Sequence, residues 1–136
     1  MRKKLCLLLA VLLLTALLCG CSRGGNADNV ELTIGPSQLY GESEIRQAMK
    51  LVIDQFESGF ESCELLTLVY NEADSLRSAD EWAEQYHADE AIVLESSFYV
   101  RGKNPTLNAF STYESWEWIL TRSGHGAWTL QTWGFT

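Results

Sequence analysis

The chain opens with Arg2, Lys3 and Lys4, runs through an apolar stretch over residues 5–19, and ends it in Leu18-Cys19-Gly20-Cys21. That stretch is 15 residues long, whereas about 20 are needed to cross ~30 Å of hydrocarbon at ~1.5 Å per residue. A basic start, a short apolar core and a stop at small residues describe a cleaved leader rather than a spanning helix. A plain secretory site would place small residues at −3 and −1. Here Leu18 stands at −3, Gly20 at −1 and Cys21 at +1, the pattern that lipoprotein processing cuts. Residues 1–20 are therefore expected to be removed, and Cys21 to carry the lipid, palmitate among its acyl chains. What is left to fold is 116 residues, which suits one domain with one modest core.

The address follows from the same residues: the outer face of the cell membrane, held by lipid. Each buried CH₂ contributes ~0.8 kcal/mol, and two or more chains anchor stably where one does not. The anchor by itself asks for no apolar surface on the folded domain. Of ten basic and eighteen acidic residues, three basic ones leave with the leader, so the mature chain stands at −11. That balance argues against nucleic acid and against electrostatic attraction to anionic lipid. Cys6 and Cys19 are discarded and Cys21 is acylated, so Cys63 is left as a lone thiol with no disulfide partner. It opens an apolar, strand-like run and reads as a buried structural cysteine.

Residues 21–37 read as the lipidated cysteine and a flexible tether, polar and Gly-rich, with a short edge strand over 30–34 as its one apolar piece. The domain is expected over 38–136. Ile45, Ala48, Met49, Val52, Ile53, Phe56 and Phe60 recur at the spacing of one buried helix face. Gly41 with Glu44 resembles an N-terminal cap, and Gly59 is the natural stop. Residues 63–70 form a strand and 71–77 a polar loop. Ser78-Ala79-Asp80-Glu81 reads as a capping box before a short helix that turns Trp82, Ala83 and Tyr86 inward. Residues 91–101, 115–122 and 127–135 read as strands, the last two joined by the Gly-rich turn Ser123-Gly124-His125-Gly126. The expected fold is α+β: an amphipathic helix on a curved antiparallel sheet of about four strands, with a second short helix and no βαβ rhythm.

The ending Trp128-Thr129-Leu130-Gln131-Thr132-Trp133-Gly134 resembles the last strand of the cone-shaped nuclear-transport-factor-2-like fold, with a cystatin-like sheet as the alternative. Across most of the mature domain the chain also resembles a group of small lipoproteins from Gram-positive gut bacteria. The likeness is carried by Leu39-Tyr40, by Cys63-Glu64-Leu65, by Tyr86-His87-Ala88-Asp89-Glu90-Ala91-Ile92-Val93-Leu94, and by Ser111-Thr112-Tyr113 with Trp116, Trp118, Ile119, Leu120 and Arg122. The resemblance implies a shared fold and brings no activity or catalytic residue with it. The 102–110 loop departs from that group, in which it is Gly-rich.

The aromatic set is the strongest functional lead. Trp116 and Trp118 alternate on one strand, Leu120 and Arg122 continue their face, and Tyr113 sits at the loop edge. On an open sheet face these residues suit a small molecule, a glycan, a peptide or a protein segment; in a small domain they also serve as core. An enzymatic reading would use Glu95 as a carboxylate base, on fold analogy alone. His87 and His125 stand singly, in a helix end and a Gly-rich turn. No nucleophile elbow, zinc helix, phosphate loop or calcium loop occurs, and no metal or cofactor is expected. The expectation is thus a non-enzymatic binding or accessory module at the cell envelope. The alternatives are a small hydrolase, isomerase or cyclase, or an interaction or immunity partner using the acidic surface.

Overall fold

A computed structural model describes residues 24–135. The leader 1–20 and the lipidation residue Cys21 lie outside the described residues. The longest element is α1 (Glu42–Gly59), whose buried face is Ile45, Ala48, Met49, Val52 and Phe56. Glu44 Oε2 accepts from the Gly41 N–H at 2.7 Å, satisfying a backbone donor ahead of the first turn. Glu42–Arg46 and Lys50–Asp54 ion pairs, both 2.7 Å, line the solvent side. The helix stops at Gly59, and the Phe60 N–H closes back on the Phe56 carbonyl.

Around α1 the chain builds five strands in the order of the sequence: β1 (Glu31–Ile34), β2 (Cys63–Tyr70), β3 (Glu90–Val100), β4 (Thr112–Arg122) and β5 (Thr129–Gly134). The α+β class is as expected, but the sheet has one strand more and is mixed. β1 pairs in parallel with β2, from Glu31↔Thr67 to Ile34↔Tyr70, and the remaining pairs are antiparallel. A parallel pair needs a crossover of a dozen or more residues, and α1 supplies it. The sequence hid this βαβ unit because β1 is four residues long and mostly exposed. Part of the expected tether is packed. Asn26 bridges to the start of β2 (Asn26 N–H to Cys63 O and Leu65 N–H to Asn26 O, both 2.8 Å), and Ala27 is buried in the core.

Between β2 and β3 lie two helices rather than a loop and one helix: α2 (Glu72–Ser75) and α3 (Ala79–Gln85). Asn71 caps α2 by accepting from the Asp74 N–H. The capping box expected at Ser78 is not formed, since its side chain makes no cap hydrogen bond. Ala79, Ala83 and the half-buried Trp82 cover Ala91 on the sheet face away from α1. The Ser75 hydroxyl accepts the Val93 N–H at 3.0 Å, where β2 has already ended. The main core fills the α1 side with Leu65, Leu68, Tyr70, Ile92, Leu94, Phe98, Val100, Trp118 and Leu120. Three register shifts, at Leu65/Thr67, Ser96/Phe98 and Ile119/Leu120, interrupt the ladders. Such bulges bend a sheet and raise its twist.

Candidate functional site

β4 places the aromatic residues. Phe98 faces Tyr113 and Ser96 faces Trp116, so Glu114 and Ser115 together oppose Ser97. This bulge, with Ser115 at φ 53°, restores phase. Tyr113, Trp116, Trp118, Leu120 and Arg122 then all lie on the α1 side of the sheet. Simple alternation would have put Tyr113 on the other side. The expected open aromatic face is therefore the covered one, and α1 lies across it.

Covering divides the set. Trp118 is fully buried, at 0% exposure. Its indole N–H donates to Ser96 Oγ at 2.8 Å, and its ring meets Phe60 at 5.2 Å and Trp133 at 5.6 Å. It belongs to the core. Arg122 is also buried, six residues further along the strand, or ~20 Å from Trp116 at ~3.4 Å per residue. It pairs with Glu44 at 2.9 Å and with Glu90, and its guanidinium lies 4.3 Å from the Trp128 ring and 5.4 Å from that of Tyr40. Burial works against its charge, but the bonds to Glu90 and Glu44 outweigh that and raise its pKa. Arg122 clasps the start of α1 to the sheet and is not at hand for a ligand. Burial, then the Glu90 carboxylate, pushes Tyr40 up to about 12.

Trp116 and Tyr113 lie at the margin, where α1 ends. There a cleft of about 470 Å³ opens between the end of α1 and the β3–β4 loop, with Phe60, Trp116, Trp133, Leu107, Pro105 and Asn104 on its walls. Trp116 stands nearly perpendicular to Phe60 at 6.2 Å, to Tyr113 at 5.8 Å and, at 71°, to Phe135 at 5.1 Å. Its indole nitrogen is buried without a hydrogen-bond partner among the described residues. Such a donor carries a cost of ~1–3 kcal/mol.

The loop wall is pinned at both ends. Asn104 Oδ1 accepts from the Thr106 and Leu107 N–H groups, both at 2.9 Å, while its Nδ2 donates to the Glu61 carbonyl at 2.7 Å. Tyr113 Oη accepts from the Asn108 N–H at 3.0 Å. Phe60, Trp133, Asn104 and Leu107 were not singled out from the sequence as site residues. The loop carries no periodicity that would mark its side chains as facing a site. Two other hollows, about 490 Å³ along Glu42–Lys50 and about 610 Å³ beside Leu32–Tyr40, are more open and have charged or loop walls. The aromatic cleft is the better formed receptor.

Glu95 is exposed on the opposite face of the sheet, directly across from Glu117, with the Ser115 hydroxyl at 3.5 Å. It borders a separate groove of about 80 Å³ with Asp74, Ser75 and Val93. His125, at φ 56°, and His87, at φ 51°, are exposed in turns. Cys63 is buried, and burial pushes its thiol up to about 11, so it is protonated at neutral pH. No group of three or more His, Cys, Asp or Glu side chains among the described residues could hold a metal ion. None of the described helices is long and apolar enough to cross a membrane.

Comparison with known proteins gives no significant match to a family model, to a curated protein or to a solved structure.

Proposed function

We propose that the protein is an exported lipoprotein, anchored through Cys21 at the outer face of the cell membrane, that binds a ligand in the cleft at the end of α1 without turning it over. One observation carries the binding reading: the preformed cleft beside Trp116. Its volume of about 470 Å³ falls within the ~300–1,000 Å³ of ligand pockets, and its make-up, aromatic walls with a few polar groups, is theirs too. Stacking on Trp116 and Trp133 suits a sugar ring, an aromatic or a short apolar peptide segment. The enzymatic alternative has less support, because Glu95 lies on the other face of the sheet, away from the cleft. The lipoprotein-group resemblance and the cone-like fold, nuclear-transport-factor-2-like or cystatin-like, belong to the same proposal. The first rests on the sequence alone, and the second on the α+β class that a long helix laid on a bulged, mixed sheet defines.

The test is a ligand-observed NMR screen of monosaccharides, indole, short apolar peptides and fatty acids. Hits are repeated on Leu107→Trp, which fills the cleft from a surface loop. Hits should weaken at least about tenfold, roughly 1.4 kcal/mol, with the fold unchanged by circular dichroism. Hits that bind both forms equally, or a screen without hits, would remove the cleft as the binding site.

A further inference from the structure

The first and last described residues and the exposed aromatics meet at one end of the described molecule. β2 starts there at Cys63, β3 finishes at Val100, β4 starts at Thr112 and β5 finishes at Gly134. α1 ends there too. The first described residues are held against it. A Cβ built on Gly24 would stand 1.7 Å from the Glu57 carbonyl oxygen, and one on Gly25 2.4 Å from that of Phe56. Only glycine permits this approach, which fixes where the chain enters the domain. Phe110 is 73% exposed, Phe135 63% and Trp133 38%. Phe110 is held beside the end of β3 by its N–H to the Val100 carbonyl, and Phe135 follows β5 directly. The half-buried Leu107 shares the cleft wall with Trp133 and with Gly59 and Phe60 at the end of α1.

We infer that this aromatic end docks into the interface of the phospholipid bilayer, as a second attachment beside the acylated Cys21, and this rests on the acylation proposed above. The length of chain makes the case. Cys21 lies three residues before Gly24, a reach of at most ~11 Å. A domain of this size has a radius of gyration of ~13 Å. With so short a lead, the end that carries Gly24 faces the membrane. Tryptophan and phenylalanine are side chains that settle at the water–hydrocarbon boundary. The charges around this end are mixed, with Glu57, Glu61, Glu64 and Glu114 beside Arg101 and Lys103. The attraction is therefore apolar and needs no anionic lipid. Docking also sets the Trp116 cleft beside the headgroup layer.

The full lipoprotein, extracted from membranes and reconstituted into phosphatidylcholine vesicles, is compared in plain lipid and in lipid brominated near the headgroup. Acylation is checked on the same sample by partition into a detergent-rich phase. The expected result is bromine quenching of tryptophan emission that drops at least about twofold in Trp133→Phe, because Trp133 is the tryptophan at the boundary. The double variant Phe110→Ser/Phe135→Ser, altered only at exposed positions, should lose quenching as well. Detergent-phase protein with equal emission in both lipids overturns the docking and leaves acylation standing. Quenching that Trp133→Phe does not change also overturns it, since lipid then meets another face. Protein in the aqueous phase overturns docking and acylation together.

Discussion

Two tryptophans two residues apart differ in what they do. Trp118 is enclosed by Phe56, Phe60 and Trp133 and bonded to Ser96. Trp118→Ala should cost about 3–5 kcal/mol in a denaturant titration, as large-to-small changes in a core do. Trp116→Ala should keep a cooperative unfolding transition and lose the screen's hits. Equal destabilisation by the two would mean that both are core. A further residue is strained by its position. His87, just past α3, adopts φ 51°, with its N–H on the Glu84 carbonyl and the Ala88 N–H on the Ala83 carbonyl. This is the left-handed helix ending that favours glycine. His87→Gly should raise stability by roughly 0.5–1 kcal/mol, the relief of strain less the entropy of glycine. A loss of stability would show that the imidazole makes a contact worth more than that strain.

At the scale of elements, two carboxylates fasten the loop before α1. Glu72 accepts from the Ser37 hydroxyl and from the Gln38 and Leu39 N–H groups, and Glu44 accepts from Gly41 and pairs with Arg122. The Ser37 bond first, then the Gln38 N–H, lowers the Glu72 pKa; the Gly41 N–H first, then Arg122, lowers that of Glu44. Folded values below the ordinary 4.5 mean that this stabilisation is fully present above pH about 4.5 and is lost as pH falls through the lowered values. The urea midpoint should therefore hold between pH 7 and about 5, then fall. Glu72→Gln should flatten that fall, and an unchanged slope would contradict the assignment.

The helix α1 and strands β2 to β5 were legible because their apolar residues repeat with clear periods. The short edge strand over 30–34 was legible too, as β1, but its parallel pairing with β2 was not, since a four-residue strand with mostly exposed side chains does not show which strand it joins. The choice between an open aromatic face and a core one was left open for a different reason. Alternation correctly grouped Trp116, Trp118 and Arg122, but it cannot say which face α1 covers. Nor can it show the bulge at Ser115 that adds Tyr113 to them. Polar pins such as Asn104 act through backbone partners that spacing does not reveal.

At the scale of the molecule, the structure separates two ends. One holds the Arg122 clasp with Tyr40, Trp128, Glu44 and Glu90; the other holds the cleft, the exposed aromatics and the entry of the chain. Changes at the first should affect stability alone. Arg122→Leu should lower the melting temperature while cleft ligands bind as before, because the two sites are ~20 Å apart. Weakened ligand binding at full folding would show that the ends are coupled. The placing of the second end at the membrane depends on Cys21. The most direct measurement is the intact mass of the protein extracted from membranes of the native host. The expected mass is that of a chain beginning at Cys21 and carrying a diacylglyceryl group, with Cys21→Ser giving an unacylated precursor that retains its leader. A mass matching an unmodified chain, cut at another position or not at all, would contradict the lipoprotein reading.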